Sequence, residues 1–243
     1  MEFIKGIVYN FKGVGMALTS PLLLFLGILR FLVVVTLTIA FSAIVFMYHQ
    51  EILSMLWAMP ESSVMLFFWN ILSWLLSMFL AVFAAIFAYF TAQLLFAVFI
   101  MDYMSRITEK KITGMVKGDD QTPLIGLFLY LILQEIPRAV IPVMLMILLI
   151  LLGLVTPFGA VIAGFSSLVA GIFLAWDNTD LVPARRMEPF GGRFAYLKKN
   201  IMFHMGFGVL FLIPWLNILF LSFAPVGGTL YYINHERELR ENG

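Results

Sequence analysis

Residues 21–48 read PLLLFLGILRFLVVVTLTIAFSAIVFMY and contain one charged side chain, Arg30. As a helix, this stretch is about 42 Å long at about 1.5 Å per residue, which exceeds the membrane's hydrocarbon core of about 30 Å. It is also much longer than the apolar core of a cleaved signal peptide. The stretch therefore predicts an uncleaved transmembrane helix that begins at Pro21, because proline is favoured in the first turn of a helix.

A second apolar run, residues 64–103, contains no charged residue before Asp102. Across the whole chain, 62% of the residues are hydrophobic, 12% are charged, and the mean hydropathy is +1.00. A soluble domain of this length cannot bury so large an apolar surface. Because backbone N–H and C=O groups in lipid must be satisfied within their own segment, the composition predicts an all-α integral membrane protein.

We interpret residues 1–243 as a single membrane domain made of four parts. These are an amphipathic N-terminus (1–20), two long transmembrane helices (21–103), a first helical hairpin (123–176) and a second helical hairpin (201–233). Each hairpin arm contains about 12–17 apolar residues, or roughly 18–25 Å of helix, which is short of a full crossing. We therefore expect two partially inserted hairpins that reverse at 156–159 and near Pro214, with a further helix break at 225–229.

The distribution of basic residues predicts the orientation of the chain. No Lys or Arg lies between Phe31 and Ser105, so the polar loop at 49–63 contains no lysine or arginine. Two other polar loops, 102–122 and 177–200, are rich in Lys and Arg. By the positive-inside rule, the loop at 49–63 faces away from the cytoplasm, and the N-terminus, both basic loops and the C-terminal tail face it.

Arg30 is the first candidate functional residue. It lies about ten residues into the first membrane helix, or roughly 15 Å from the helix start. An arginine at this depth costs about 3 kcal/mol on insertion scales unless it meets an anion or a carboxylate or reaches the headgroups. Its planar guanidinium group suits a tetrahedral oxyanion. Two interpretations stay open: Arg30 binds an anion, or it makes a structural contact.

Half-helices provide a second way to bind an anion, because free N–H groups give their N-terminal ends a partial positive charge. The predicted breaks place four residues near such ends, and these residues are candidate anion-binding residues: Asn217, Gly227, Gly228 and Thr229. The alternative is that each break serves only to reverse the chain.

Other polar residues support weaker hypotheses. Glu135 and Arg138, one helical turn apart, form a candidate gate or an ordinary interfacial ion pair. The cations of the basic loop at 177–200 either concentrate anions at a pore mouth or contact acidic lipids. The chain has no cysteine and only three scattered histidines, and it lacks a phosphate-binding nucleotide loop. We therefore predict no metal site, no cofactor and no enzymatic activity.

Four short motifs resemble the family of CysZ sulfate permeases, which shares its domain with etoposide-induced-protein-like membrane proteins. They are EIPR at 135–138, EPF at 188–190, IPWLN at 213–217 and APVGGT at 224–229. The resemblance implies two long transmembrane helices with two pairs of half-inserted helices, a dimer, and uptake of sulfate. Gly27 to Arg30 resembles the family's Gly-Leu-Arg sulfate-binding motif with the arginine one place late, which makes Gly27 and Arg30 expected anion-binding residues.

The resulting interpretation is an anion channel or permease of the CysZ type in a bacterial inner membrane. Its expected partners are sulfate or a similar small oxyanion, the lipid bilayer and a second copy of the chain, with no nucleic acid. The alternative is a non-transporting scaffold or lipid-organising protein with the same fold.

Overall fold

A computed structural model of the protein describes residues 1–48, 51–52, 55, 60, 62–92, 98–117 and 124–241. Within these ranges, every element of regular secondary structure is helical. Four of the described helices are long and apolar enough to cross a membrane. The prediction of an all-α integral membrane protein is therefore confirmed.

The described helices are, in chain order, α1 (Glu2–Leu18), α2 (Pro21–Met47), α3 (Ser63–Ala92), α4 (Val98–Thr113), α5 (Leu124–Val155), α6 (Gly159–Thr179), α7 (Leu181–Arg185), α8 (Phe190–Lys199), α9 (Ile201–Val209) and α10 (Leu216–Glu241). A 3-10 turn at Leu210–Leu212 extends α9. The helices divide between two compact units, a first unit of Met1–Gly27 with Met101–Gly243 and a second unit of Ile28–Ile100.

The second unit contains most of α2 and the whole of α3. Both helices contain a candidate membrane span, with a mean hydropathy of 2.6 over Pro21–Met47 and 2.0 over Ser63–Ala84. The rings of Phe41 and Phe87 contact each other, with centroids 5.7 Å apart. The lengths of α2 and α3 agree with the two long transmembrane helices predicted for this region.

The first unit is built around α1, which packs against both α9 and α10, while α9 also packs against α6. Small residues permit this close packing. A Cβ atom added at Gly13 would lie 2.6 Å from the backbone nitrogen of Gly227, so only a hydrogen fits between the two backbones. Close backbone approach through small residues is the usual means of helix association in lipid, where the hydrophobic effect gives little help.

The structure has a turn at each of the two positions where the sequence predicts one. The first turn, at Thr156–Phe158, joins α5 to α6, which pack against each other. The second turn follows Leu212 and contains Pro214 and Trp215. Trp215 has a φ of 68°, a left-handed conformation that is uncommon for a residue other than glycine.

Three local expectations were wrong. The region 102–122 contains most of α4, up to Thr113, rather than only a loop, because its buried side chains recur with helical spacing, as Ser105, Thr108 and Glu109 do. The basic loop at 177–200 contains α7 and α8. The expected break at 225–229 is absent, since α10 continues through Pro225. A proline removes one backbone hydrogen bond, and tight packing of the surrounding residues can compensate for that loss.

The hairpin arms are longer than expected, because α6 has 21 residues and α10 has 26. Both therefore include a stretch long enough to span a membrane by length and composition. The hairpin tips expose large apolar side chains, with Val155 84% exposed and Trp215 85% exposed. Apolar exposure at both tips is consistent with lipid contact, and the partial depth of insertion stays a prediction.

Cysteine labelling tests the depth of the hairpins, since the native chain contains no cysteine. We expect Phe158→Cys and Trp215→Cys to stay unreactive toward a membrane-impermeant maleimide on either face of membrane vesicles, because hydrocarbon surrounds both tips. Lys198→Cys and Ser62→Cys serve as controls that react from opposite faces. A tip that reacts from the same face as Ser62→Cys would show that its hairpin crosses fully.

Candidate functional site

Arg30 lies in α2, within the second unit, and its side chain is half-buried. It is the only charged residue between Lys12 and Glu51. Gly27, one helical turn earlier, belongs to the first unit and is buried. A Cβ atom at Gly27 would overlap the ring of Phe223, so packing against this ring favours a glycine here. The expected role of Gly27 in anion binding stays a prediction.

Gly227, Gly228 and Thr229 lie inside α10 and are buried. Helix interior N–H groups are already bonded to carbonyl groups one turn earlier, so this stretch does not form the half-helix end that we expected. Gly228 instead lies against the backbone of Asn178 in α6. The Thr229 hydroxyl donates a 2.8 Å hydrogen bond to Oγ of Ser105 in α4. The motif therefore joins three helices.

Asn217 occupies the first turn of α10, as the predicted break near Pro214 requires. Its backbone N–H donates a 3.0 Å hydrogen bond to the carbonyl of Ile213. Its side chain is half-buried. Asn217 is thus the candidate residue that does lie at a helix start, and its contact with an anion stays a prediction.

Arg138 is buried and forms ion pairs with the end of α6 and the residue that follows it. Its Nε atom lies 3.1 Å from Asp177, and its Nη1 atom lies 3.3 Å from Asp180. The side chain of Glu135 lies outside the described residues, so the candidate Glu135–Arg138 gate is untested. Arg138 serves at least to connect α5 with the C-terminal end of α6.

Asp180 forms a second ion pair, with a guanidinium group of α8. Nε of Arg193 lies 2.9 Å from Oδ1 of Asp180, and both side chains are almost completely buried. Burial raises the pKa of the Asp180 carboxyl group, and the charges and hydrogen bonds of Arg138 and Arg193 oppose that increase. We refer to Arg138, Asp177, Asp180 and Arg193 as the first charge cluster.

A second charge cluster connects α4, α7 and α10, and it consists of Asp102, Arg106, Glu109, Arg185, Arg186 and Glu236. Arg185 is fully buried, with Nη1 at 2.7 Å from Asp102 and Nη2 against Glu109. The adjacent Arg186 bridges Glu109 and Glu236, with both distances 2.9 Å. Burial opposes the charged form of Arg186, but hydrogen bonds to these carboxylates outweigh it and raise the pKa.

A chain of polar contacts links the APVGGT motif to this second cluster. Thr229 donates to Ser105, and Ser105 in turn accepts a 3.4 Å contact from Nη1 of Arg185. Three arginines expected to concentrate anions or bind acidic lipids, Arg185, Arg186 and Arg193, are instead neutralised by carboxylates. Of the lysines and arginines of that basic segment, only Lys198 and Lys199 are exposed.

The carboxylate partners were missed at the level of sequence. Asp102, Ser105 and Glu109 recur at intervals of three and four residues, which is the spacing of one helical face. This helical spacing was present in the sequence, but the density of charge made the region 102–122 resemble a loop. In the part of the chain that the structure describes, no group of three or more His, Asp or Glu side chains is arranged to hold a metal ion.

The second charge cluster predicts a large loss of stability for Arg185→Gln. Removing one partner of a buried ion pair costs about 3–5 kcal/mol, which corresponds to a decrease in Tm of about 6–20 °C. Arg240→Gln is the matched control, because Arg240 is 65% exposed and pairs with the same cluster's Glu236. Its Tm should change by less than about 4 °C. Thermal unfolding in detergent measures both, and equal shifts would contradict the assignment.

Gly228→Ala tests whether this glycine serves packing. We expect it to lower the free energy of unfolding by about 1–3 kcal/mol, because the new methyl group would meet the Asn178 backbone. Gly15→Ala in α1 is the control, since a Cβ atom there meets nothing within 4 Å, and it should be neutral or stabilise by up to about 1 kcal/mol. An unchanged Tm for Gly228→Ala would mean that packing does not explain the glycine.

Comparison with known proteins gives one family. A search of curated proteins found no match. The family model described as sulfate transporter CysZ/etoposide-induced protein 2.4 matches residues 9–222, which is most of the chain and includes Gly27, Arg30 and the charge clusters apart from Glu236. The chain therefore belongs to the family of the sulfate transporter CysZ and the etoposide-induced protein 2.4.

Proposed function

We propose that this protein is a permease or channel for a small oxyanion, with sulfate as the favoured substrate, in a bacterial inner membrane. Membership of a family of membrane transporters is the observation that carries the proposal. The proposal places the N-terminus and the charged C-terminal tail in the cytoplasm, as the distribution of Lys and Arg predicts. It also includes a dimer, which the family resemblance implies.

Arg30 supports an anion pathway through its environment. The α2 segment around it has a mean hydropathy of 2.6, the highest of the candidate spans. A guanidinium group in such a segment is costly unless a negative charge compensates it. Because arginine presents a planar set of five N–H donors, it can bind two oxygens of a tetrahedral oxyanion at once. We assign it the anion-coordinating role.

The N-terminal ends of the second arm of each hairpin provide further support. Helix α6 begins at Gly159, and no side chain caps the N–H groups of its first turn. Helix α10 begins directly after the Pro214 turn, and Asn217 in its first turn can offer its side-chain amide, since its backbone N–H is bonded to Ile213. Free N–H groups at a helix start favour a nearby anion. We propose that these ends offer neutral donors that bind an anion without trapping it.

Uptake of radiolabelled sulfate into proteoliposomes tests the proposed function. We expect the native protein to exceed empty vesicles, and Arg30→Gln to reduce uptake about tenfold or more, because a hydrogen bond to a charged group contributes about 1.5–3 kcal/mol. Arg30→Lys should retain part of the activity, since it keeps the charge. Arg240→Gln, which removes an exposed arginine, should transport like the native protein.

The outcomes separate transport from the scaffold alternative. Uptake that requires the protein but does not change in Arg30→Gln would support transport and would contradict anion binding by Arg30. Uptake no greater than that of empty vesicles, with the protein folded by circular dichroism, would contradict sulfate transport and favour a lipid-organising role. Competition of selenate, phosphate and nitrate with labelled sulfate then shows which class of anion the protein prefers.

A further inference from the structure

A groove of about 360 Å³ lies between α1 and the C-terminal part of α10, within the first unit. This volume is within the range of about 300–1,000 Å³ that is typical of sites for small ligands. Neither the anion pathway nor the two charge clusters use this groove. Its lining combines two lysines, aromatic rings, apolar side chains and a single carboxylate.

Lys5 and Lys12 give the groove its cationic character. The ammonium group of Lys12 lies 4.7 Å from the centre of the Tyr9 ring. Lys5 forms a 2.9 Å ion pair with Glu2, in which both side chains are about half exposed. Exposed pairs of this kind contribute little, about 0–1 kcal/mol, so an incoming anion can compete with Glu2 for the Lys5 ammonium group. The groove can therefore present two ammonium groups to one ligand.

The floor of the groove is a rigid aromatic surface. The ring of Tyr231 packs edge-on against Tyr9 at 5.3 Å and stacks on His235 at 5.4 Å. Tyr231 is also buried against the core, where its ring stacks on Phe203. A surface with few free torsions loses little entropy when a ligand binds, which favours a defined site over a loose cationic patch.

The position of the groove along α10 indicates where it lies relative to lipid. Residues 216–233 of α10 contain no charged side chain, whereas residues 235–241 are rich in charge. Such a change in a membrane protein occurs at the level of the lipid headgroups, and tyrosines are enriched there. Tyr231 and His235 of the groove lie on either side of this change.

The outer face of α1 adds an apolar surface beside the two lysines. Ile4, Val8 and Phe11 are exposed and lie on the same face of the helix, since they are three or four residues apart. Lysines next to an apolar stripe are typical of helices that lie in the membrane interface. A ligand that fits this arrangement has an anionic head for the ammonium groups and hydrocarbon for the stripe.

We propose that the groove between α1 and α10 binds an anionic phospholipid, whose phosphate contacts Lys5 and Lys12 and whose acyl chains cover Ile4 and Val8. Glu238 belongs to the same lining and opposes the ligand's charge. Once the lipid phosphate has displaced Glu2 from Lys5, the two lysines of the lining exceed Glu238 by one positive charge and so favour a lipid with a net negative charge over a zwitterionic one. The site does not require that the protein transports sulfate.

Native mass spectrometry of the purified full chain in neutral detergent tests the proposal, with phosphatidylglycerol and phosphatidylcholine as probes. We expect phosphatidylglycerol to bind more tightly. Lys5→Gln and Lys12→Gln should each weaken it about fivefold, since a lysine near an anionic lipid contributes about 1 kcal/mol. Glu238→Gln should strengthen phosphatidylglycerol binding. Damage to the fold would weaken binding in every variant, so it would not explain weaker binding in the lysine variants together with stronger binding in the Glu238 variant.

Matched variants complete the experiment. Lys198→Gln is the control, because Lys198 is exposed and also lies over an aromatic ring, 5.2 Å from the centre of Phe194. Lys5→Arg and Lys12→Arg should bind phosphatidylglycerol like the native chain, which excludes misfolding as the cause of weaker binding. Equal binding of the two lipids, or undiminished binding by both glutamine variants, would overturn the proposal. Displacement of the lipid by millimolar inorganic phosphate would assign the site to a free anion instead.

Discussion

The pairing of Arg185 with Asp102 and Glu109 is the constraint on which the first unit depends. All three groups lose most of their hydration, and an unpaired charge at such a position costs several kcal/mol. Helices α4 and α7 must therefore keep the register at which these atoms meet, and the pair of Arg186 with Glu236 connects α10 to the same cluster. The short helix α7 has all five residues buried, and its last residue, Arg185, and the adjacent Arg186 present two guanidinium groups to carboxylates on two different helices. The positions of Ser105 and Thr229 follow from the same register.

Close backbone contacts hold together the helices that no charge cluster connects. In lipid, apolar side chains gain little from contact with one another, so association depends on dispersion and hydrogen bonds at short range. Gly13 and Gly227 bring α1 and α10 together, and Asn10 adds a hydrogen bond from its side-chain amide to the Phe207 carbonyl. Aromatic rings then fill the space around these contacts, as Phe203 and Tyr231 do. Within the first unit, charge pairs thus connect α4, α7 and α10, and glycine contacts connect α1 and α10.

Local features of the sequence were sufficient for the helical class and for the positions of two turns. Apolar runs with one charge predict membrane helices, and Pro157 and Pro214 mark turns. The helix α4 and the continuity of α10 were not predicted, because charge density and Pro225 each resemble a break when read locally. The charge clusters could not be predicted from local sequence for a different reason. Arg185 and Glu109 are 76 residues apart, and no periodicity along the chain indicates which acid meets which base.

The hydrogen bond between Asn10 and the Phe207 carbonyl, 2.6 Å long, joins residues that are 197 positions apart. A ribosome that adds about 5–20 residues per second needs about 10–40 s to make the intervening chain. Helix α1 is therefore complete long before the surface that receives it exists. Its exposed apolar stripe can lie at the membrane interface during that interval, so a helix made early is among the last to reach its final place.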